Sequence, residues 1–324
     1  MSKADKYLVT GGTGFLGTHV TRRLLAEGVQ PVLADLVALN EPDLDETNCE
    51  VHIADILDAA AMKELAKGKA GVVHAAASLP IRGSREAILR TNVEGTRNVL
   101  EAALAAGVPK VVFISSTAVY GIPKIHPLYE TSPIVPLGSY GESKVAAEGV
   151  CREYMEKGLD VTIIRPKTFI GPGRLGIFQI LFEWIREGCY IPMIGKGKNR
   201  YQLLAVQDLV EAIWRGLSLP NQNETFNVGS QHLAPVGVYL QQLFQHAGTK
   251  AELVPLPAKP AQWFLRAAEL SKLSPLVEWH YKTACQDSFV DVSHAKEVLG
   301  WEPQYTDAQT LIQTYDWYIE HYQE

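Results

Sequence analysis

Short apolar runs alternate with longer amphipathic segments through the first half of the chain. The apolar runs predict six strands, at residues 6–10, 31–35, 49–55, 71–77, 110–116 and 161–166. Between them, apolar residues recur at three- and four-residue spacing, which predicts helices after residue 14 and at 60–68, 85–106 and 139–158. Strands that are apolar on both faces and separated by helices indicate a parallel sheet covered on both sides. Because such crossovers are right-handed, the expected fold class is α/β with a doubly wound parallel sheet.

The pattern changes after Pro166, where glycine and proline become frequent. Strand and helix signals return at residues 201–217. We therefore predict a Rossmann domain at residues 1–167 and a smaller mixed α/β substrate-binding lobe at residues 168–324. A part of the second half, about 201–230, is expected to return to the Rossmann domain. The lobe should lie over the carboxyl ends of the strands, where open α/β sheets bind ligands.

Composition narrows the possible partners and the compartment. The 324 residues carry a net charge of −6, which gives no general attraction to nucleic acid or anionic membranes. No apolar run approaches the ~18 residues of a membrane span, and the N-terminus lacks the pattern of a secretory signal. The four cysteines form no CxxC pair, and the nine histidines form no HxH or HExxH motif. We therefore expect no metal site, no disulfide framework and a cytoplasmic location.

A glycine-rich turn follows the first strand and opens the first helix. The segment TGGTGFLG places Gly11, Gly14 and Gly17 at three-residue spacing, with Phe15 and Leu16 inside the turn. Glycine permits positive φ and lets the backbone approach a pyrophosphate closely. The N-terminus of the following helix offers unpaired N–H groups to the anion. In this strand–turn–helix context the motif predicts a dinucleotide site.

Two aspartates end the second and third strands. Asp35 lies 18 residues after Gly17, where a carboxylate accepts hydrogen bonds from the adenosine ribose and repels a 2′-phosphate. This position favours NAD over NADP. Asp55, followed by Ile56, is placed either beside the adenine or at a helix N-cap.

Three polar residues form a candidate catalytic set. Tyr140 and Lys144 lie four residues apart on one predicted helix and so share a face, and Ser116 ends the fifth strand. A free phenol has a pKa near ~10, too high for an efficient base at neutral pH. A nearby ammonium and a nicotinamide cation stabilise the phenolate, so Tyr140 can take a proton from a substrate hydroxyl as hydride leaves. Ser139 and Glu142 also match a capping box at the start of this helix.

Taken together, these motifs resemble the extended short-chain dehydrogenase/reductases of the NAD-dependent epimerase/dehydratase superfamily. The matching segments are TGGTGFLG (10–17), Asp35, DI (55–56), HAAA (74–77), TNVEGTRNVLEAA (91–103), SSTAVYG (115–121), YGESK (140–144), RP (165–166) and LGWEP (299–303). The resemblance implies NAD as cofactor and a catalytic triad of Ser116, Tyr140 and Lys144.

Further site residues and a partner follow from the same resemblance. Asn92 is expected to hold the catalytic lysine through water, and Ala75, Ala76 and Ala77 to line the nicotinamide side. Ser115 and Pro166, within the matching segments, are additional candidates for cofactor binding. The resemblance also implies a homodimer formed through the helices at 85–106 and 139–158.

Several positions bear on the substrate. Sugar-nucleotide 4,6-dehydratases carry an Asp-Glu pair where this chain has Thr117 and Ala118, so we exclude that dehydration. Epimerases of the superfamily usually carry Asn where Thr168 stands, and a diphosphate-binding Arg where Tyr201 stands. Arg200 directly precedes this Tyr201 position.

Three of these positions and two others are candidate substrate-binding residues. The candidates are Ser78, Thr117, Thr168, Lys196 and Arg200. The basic loop that holds Lys196, Lys198 and Arg200 either meets a diphosphate or is simply solvated.

The sequence thus favours an NAD-dependent oxidoreductase or isomerase, specifically a nucleotide-sugar epimerase or dehydrogenase. An alternative is a 3β-hydroxysteroid-dehydrogenase-like enzyme that oxidises an apolar alcohol. Its pocket would be lined by Phe178, Leu181, Phe182, Trp184, Trp263, Phe264 and Leu265, although aromatics at helical spacing also suit a core. A more remote alternative is a non-catalytic NAD-binding sensor, a class that typically loses the Tyr or the Lys.

Overall fold

A computed structural model describes residues 5–45, 47–79, 84–231, 233–270 and 283–322. Its strands are β1 (Lys6–Thr10), β2 (Gln30–Asp35), β3 (Glu50–Ile53), β4 (Gly71–His74), β5 (Val111–Ile114), β6 (Val161–Pro166), β7 (Thr168–Ile170), β8 (Tyr190–Ile194), β9 (Leu203–Ala205), β10 (Thr225–Val228) and β11 (Glu252–Leu256). Its α-helices are α1 (Phe15–Ala26), α2 (Ala59–Ala66), α3 (Arg85–Leu89), α4 (Gly95–Ala105), α5 (Gly138–Glu156), α6 (Phe178–Glu187), α7 (Val206–Ser218), α8 (Val236–Ala247), α9 (Ala258–Leu270), α10 (Ser293–Leu299) and α11 (Asp307–His321).

Seven strands form one parallel sheet in the order β10-β6-β5-β4-β1-β2-β3. Tyr7 of β1 lies beside Pro31 of β2 on one side and Gly71 of β4 on the other. The chain winds outward in both directions from this point, so the loops after β1 and β4 diverge and leave a crevice at their carboxyl ends. The doubly wound α/β fold predicted from the sequence is confirmed.

Both faces of the sheet are covered, which explains the unbroken apolar strands. Every residue of β4, β5 and β6 is buried. Alternate residues of one strand enter opposite cores, as Val72 and Val73 of β4 do. The core that contains Val72 is completed by α2, α4 and α5, and the core that contains Val73 is completed by α1, α7 and α10.

The second half of the chain contributes to two regions. β10 is the edge strand beside β6, and α7 packs against α1. The assignment of residues 201–230 to the Rossmann domain stays a prediction. The remaining elements include the two-stranded pairs β7–β9 and β8–β11, with a core centred on Phe182, Leu243 and Tyr318. The domain boundary at residue 167 stays a prediction.

Two local expectations differ from the structure. The predicted helix at 85–106 is divided into α3 and α4 by a π-helical turn, Arg90–Glu94, which widens the backbone around Asn92. The predicted capping box is wrong. α5 begins at Gly138, so Ser139 lies inside the helix, and the N-cap residue Leu137 has no polar side chain to cap it. Glu142 pairs with Arg85 of α3 at 2.8 Å. In the part of the chain that the structure describes, no helix combines the length and the apolar character needed to cross a bilayer.

Candidate active site

The glycine turn between β1 and α1 forms a tight anion cradle. Gly11 has φ of +70°, and a Cβ there would lie 2.8 Å from the amide nitrogen of Ala76. A Cβ on Gly17 would lie 2.2 Å from the carbonyl oxygen of Gly11. Helix α1 begins at Phe15 after Gly14, with no side-chain cap and no acidic residue in its first turn. Its first N–H groups are therefore available to an anion such as a pyrophosphate.

The two apolar residues of the motif, Phe15 and Leu16, pack against neighbouring elements. Leu16 is buried in the sheet core. Phe15 stacks on Phe169 with ring centroids 5.9 Å apart and an interplanar angle of 5°. Phe169 belongs to β7, so the predicted cofactor turn is in direct contact with an element of the second half.

Asp35 closes the turn from the neighbouring strand. Its two carboxylate oxygens accept hydrogen bonds from the N–H of Thr13, at 3.1 Å, and of Leu36, at 2.7 Å. The side chain is thereby fixed beside the glycine turn. Each carboxylate oxygen keeps a lone pair for a further donor such as a ribose hydroxyl.

The second aspartate is not the N-cap of the next helix. That cap is Asp58, whose side chain accepts from Ala60 and Ala61. Asp55 instead accepts from the N–H of Leu57 at 2.9 Å. Its placement beside an adenine stays a prediction. Ile56 is only 5% exposed and belongs to the core, so its side chain packs inward.

A hydrogen-bonded chain holds the loop after β4. The N–H groups of Ala75 and Ala76 donate to the carbonyl and hydroxyl oxygens of Thr10, at 3.1 and 3.4 Å. The Thr10 hydroxyl lies 2.7 Å from Nδ1 of His74, and Nε2 of His74 lies 3.0 Å from the hydroxyl of Thr96. The backbone of Ala75–Ala77 is thus set against β1, next to Gly11.

His74 is neutral in this chain. Burial, with Lys144 adding to the effect, lowers the pKa of His74 to about 3. The Thr96 hydroxyl donates to the carbonyl of Asn92 at 2.6 Å, so it must accept from His74 Nε2–H. Sequence reasoning missed His74, because a histidine ending a buried strand carries no signal of its own.

Asn92 lies on the π-helical turn and contacts two parts of the site. Its side-chain carbonyl accepts from the N–H of Ser78 at 2.7 Å. Its amide group donates to the carbonyl of Ser78 at 3.0 Å and to the hydroxyl of Ser143 at 2.9 Å. Ser143 precedes Lys144, so Asn92 lies next to the catalytic candidate. The water link between them stays a prediction.

The three candidate catalytic residues do meet, at the end of β5. The side chain of Ser116 lies close enough to the phenol of Tyr140 to affect its pKa. The ammonium of Lys144 donates to the carbonyl of Ile114 at 2.8 Å and lies 5.8 Å from the ring centroid of Tyr140. Ser116 also accepts from the N–H of Ala118 at 3.1 Å, which fixes its side chain.

The pKa values of the pair differ from their ordinary values in opposite directions. Burial raises the pKa of Tyr140 to about 12, against the opposing effects of Ser116 and the charge of Arg174. Burial also lowers the pKa of Lys144 to about 8, with Cys151 and Glu148 opposing. Desolvation disfavours the charged form of each group, so an additional positive charge is needed to favour the phenolate.

Ser115 faces away from the crevice. Its hydroxyl donates to Glu148 at 2.6 Å, and Arg165 of β6 donates to both oxygens of Glu148, at 2.7 and 2.6 Å. Arg165 also donates to the hydroxyl of Tyr120 at 2.8 Å. This buried network ties the ends of β5 and β6 to α5. Sequence reasoning assigned no role to Glu148 or Arg165.

The candidate substrate residues divide into two groups. The hydroxyl of Thr117 donates to the carbonyl of Pro166 at 3.2 Å, and the hydroxyl of Thr168 lies 2.7 Å from that of Tyr201. These contacts bring them to the carboxyl ends of β5 and β6. Lys196 is exposed on its loop.

Arg200 is held by another residue. It donates to Asp287 at 2.8 Å, and its guanidinium lies 4.4 Å from the ring centroid of Phe289. The positive charge that sequence reasoning offered to a diphosphate is therefore compensated by a carboxylate.

Three charged or polar residues near the site were missed from the sequence. Arg174 acts electrostatically on Tyr140 and lies 6.0 Å from the ring centroid of Phe15. Lys167 is buried directly after β6, and Nε2 of His126 is buried without a hydrogen-bond partner in the described chain. Each lies in a loop or at the end of a strand. Its position near the site depends on tertiary packing, which the local sequence pattern does not reveal.

The aromatic set does not form one apolar pocket. Phe182 is fully buried against Tyr315 and Tyr318. Trp263 and Phe264 of α9 are 76% and 67% exposed. These aromatic residues are thus divided between the core and the surface. This favours a structural role for the core residues over a shared pocket for an apolar alcohol.

Comparisons with known proteins agree with this site. The NAD dependent epimerase/dehydratase family profile matches residues 7–229. The UDP-glucose 4-epimerase of Mycolicibacterium smegmatis is 32% identical across 96% of this chain and 97% of its own length. The crystal structure of UDP-glucose 4-epimerase from Thermotoga maritima with UDP-glucose is 25% identical. It has a TM-score of 0.80 and covers 98% of this chain and 100% of that chain. The decarboxylating sterol-4-alpha-carboxylate 3-dehydrogenase of Bos taurus is 31% identical over 64% of this chain and 59% of its own length.

The family match spans well over half of the chain and includes the glycine turn, the π-helical turn and the Ser-Tyr-Lys set. The resemblance inferred from the motifs is confirmed, and so is NAD as the cofactor on which the family depends. The match to a sterol enzyme is partial, whereas the sugar-nucleotide epimerases match throughout. The chain belongs to the NAD-dependent epimerase/dehydratase family.

Proposed function

We propose that this protein moves hydride between NAD and a secondary alcohol of a nucleotide-sugar, as an epimerase or dehydrogenase. One observation carries the proposal. The Tyr140 ring lies 5.8 Å from the Lys144 ammonium, and Ser116 acts on its phenol, at the same sheet edge as the glycine turn. The sugar-nucleotide epimerases that match along nearly their whole length support the substrate class.

The residues around the crevice fit the cofactor. The uncapped N-terminus of α1 suits the pyrophosphate, and the Asp35 carboxylate suits unmodified ribose hydroxyls. The backbone of Ala75–Ala77 suits the nicotinamide side. NAD, when bound, accepts a hydride from the carbinol carbon or returns it.

The protein side chains manage the proton. Tyr140 removes the proton of the substrate hydroxyl, and Ser116 holds the same oxygen through its hydroxyl. Lys144 lies one helical turn from Tyr140 and supplies a positive charge that favours the phenolate. Since burial alone raises the pKa of Tyr140, these charges determine whether it can act as a base near neutral pH.

Replacing the phenol tests this mechanism. Tyr140→Phe removes the proton acceptor and keeps the ring, so turnover should fall by about 100-fold or more while NAD affinity stays within about twofold. Calorimetry with NAD and a steady-state assay measure the two quantities. Near-wild-type turnover in the variant would contradict the mechanism. Equal loss of NAD binding would show that the variant disturbs the fold.

A titration panel tests the substrate class. The NAD-loaded protein is titrated with UDP, dTDP, GDP, CDP and ADP. We expect one diphosphate to bind with a Kd in the micromolar range, and its base identifies the nucleotide. Absence of binding across the panel would overturn the nucleotide-sugar assignment and direct the search to sterols and free sugars.

We further propose a homodimer formed through the helical segments at 85–106, which contains α3 and α4, and 139–158, which covers most of α5, in a cytoplasmic location. Helices α4 and α5 pack side by side on one face of the sheet, joined by an ion pair between Arg97 and Glu153 at 2.8 Å. All four cysteines are free thiols, which suits a reducing compartment. Light scattering should give twice the mass of one chain; a single-chain mass would exclude the dimer.

A further inference from the structure

A second buried lysine lies near the catalytic set. Lys167 directly follows β6 and is 3% exposed, as is Lys144. Its backbone N–H donates to the carbonyl of Val228, and its ammonium donates to the hydroxyl of Ser288 at 2.7 Å. The ammonium also lies 4.9 Å from the ring centroid of Tyr201.

The charge of Lys167 has no contacting carboxylate among the described residues. Asp307 acts on it electrostatically but forms no ion pair with it. Its Oδ1 atom accepts from the N–H of Leu203 and the hydroxyl of Ser230, and its Oδ2 atom has no hydrogen-bond partner among the described residues. An ammonium has three donors, and a single hydroxyl occupies one of them. Burial lowers the pKa of Lys167 to about 7, as expected for a desolvated cation without a close counter-ion.

His126 adds an unpartnered ring nitrogen to the same region, which donates in one of its two neutral tautomers. Its Nε2 atom is buried and has no partner in the described chain, and its ring packs 5.0 Å from that of Phe289. The charged groups that act on it are Asp287, Lys167 and Arg200. Arg200 and Asp287 compensate each other at 2.8 Å, so the excess positive charge belongs to Lys167.

The location relative to Ser116 indicates which part of a substrate reaches these donors. Pro166, which precedes Lys167, accepts a hydrogen bond from Thr117, which follows Ser116. Lys167 is therefore adjacent to the strand ends that hold the reacting carbon. With the reacting carbon at Ser116 and Tyr140, a group on the same sugar ring would be within reach of Lys167.

We propose that Lys167, His126 and Ser288 form a subsite for a carboxylate on the sugar, so that the substrate is a nucleotide-linked uronic acid. This inference rests on the proposed function. A carboxylate accepts from several donors at once and supplies the counter-ion that Lys167 lacks, whereas a sugar hydroxyl leaves the charge uncompensated. A charged partner in a buried site changes affinity far more than an exposed one does.

Paired ligands test the subsite. The NAD-loaded protein is titrated with UDP, UDP-glucose and UDP-glucuronate, and with the corresponding pairs on dTDP and GDP. On the preferred base, the uronate should bind at least about tenfold more tightly than the neutral sugar. Lys167→Met should remove that preference and leave the neutral sugar and NAD within about twofold. Lys198→Met, which changes an exposed lysine of the neighbouring loop, is the matched control and should keep the preference.

The outcomes separate this inference from the proposed function. If the neutral sugar binds as tightly as the uronate, the subsite is overturned and the nucleotide-sugar assignment stands. If Lys167→Met weakens UDP itself as much as UDP-glucuronate, Lys167 meets the diphosphate and the carboxylate subsite is overturned. If no nucleotide binds, both proposals fall together.

Discussion

At the scale of single residues, the chemistry depends on the charges around one phenol. Burial raises the pKa of Tyr140 to about 12, and the effects that oppose burial come from Ser116 and Arg174. Arg174 lies on the exposed loop between β7 and α6. Its contribution is therefore open to salt screening, unlike that of the buried Lys144.

Neutralising this arginine should shift the pH dependence of turnover. In Arg174→Met the positive charge is lost, so the pKa of Tyr140 rises and the acidic limb of the pH–rate profile moves up by about half a unit. High salt should shrink the difference between the variant and the wild type. Arg90→Met, at an exposed arginine of the π-helical turn, is the control and should leave the profile unchanged. Coinciding profiles of wild type and Arg174→Met would exclude Arg174 from the site.

At the scale of secondary-structure elements, the glycine turn is a steric device as well as an anion site. A Cβ on Gly17 would approach the carbonyl oxygen of Gly11 to 2.2 Å and Cα of Gly12 to 2.6 Å, both backbone atoms. α1 can pack this closely against the end of β1 only where Cβ is absent. The absence of Cβ at Gly17 therefore fixes both the shape of the turn and the position of the first turn of α1.

A single methyl group at this position tests that geometry. Gly17→Ala should lower the free energy of unfolding by about 3 kcal/mol and abolish NAD binding, because either the turn or α1 must move. Gly149→Ala is the matched control, since that glycine lies on an exposed face of α5 with open space around it. There the change should be neutral or stabilise by about 0.5–1 kcal/mol. Urea unfolding and NAD calorimetry measure both variants, and equal behaviour of the two would refute the steric argument.

Element boundaries show where sequence reasoning succeeds and where it ends. Tyr140 and Lys144 were recognisable because helical geometry alone puts residues four apart on one face. The π-helical turn at Arg90–Glu94 was not, because its Asn92 is held by partners distant in sequence, and the start of α5 was not, because the helix begins one residue before the Ser139 of the predicted capping box. Asn92 is fixed by Ser78 and Ser143, and Glu142 is drawn to Arg85 rather than to its own helix end.

The same limit applies to the substrate side. Lys167 stands beside the recognised Arg-Pro pair, yet the sequence gives no sign that it is buried, because its partner Ser288 is more than 100 residues away. Arg200 appeared to be a free cation for a diphosphate until the fold brought Asp287 to it. Periodicity predicts the sheet, whereas the charge balance of the pocket is set by long-range contacts.

At the scale of the whole molecule, the buried Lys167 links stability to pH. Its pKa is lowered to about 7 by burial, below the ordinary value of 10.5. Between these values the unfolded chain binds more protons than the folded chain, so stability should rise with pH from about 7 to 10.5. Below pH 7 the full penalty of the buried charge is present. Asp307, whose pKa burial raises to about 6, titrates below this window.

Removing the charge should flatten that dependence. Lys167→Met should raise the free energy of unfolding at pH 7, by an amount on the order of 1–4 kcal/mol, because an apolar side chain replaces a desolvated cation. The gain should shrink towards pH 10. Urea titrations at pH 7 and 9.5 measure the free energy of unfolding of each protein at the two pH values. If the difference between the two pH values is the same for wild type and variant, Lys167 is not desolvated in the folded protein.

The contacts between β5 and α5 have a consequence for how this chain can diverge. Ile114 and Ser115, at the end of β5, are hydrogen-bonded to Lys144 and Glu148, and the next residue, Ser116, acts on Tyr140. The three helix residues recur at every fourth position of α5. Inserting one residue between Tyr140 and Glu148 would rotate part of this stripe by about 100° and separate contacts that substitutions alter one at a time. The exposed face of this stretch of α5 should therefore tolerate substitutions, but the stretch should not tolerate insertions or deletions. Gaps in an alignment of relatives should lie outside it.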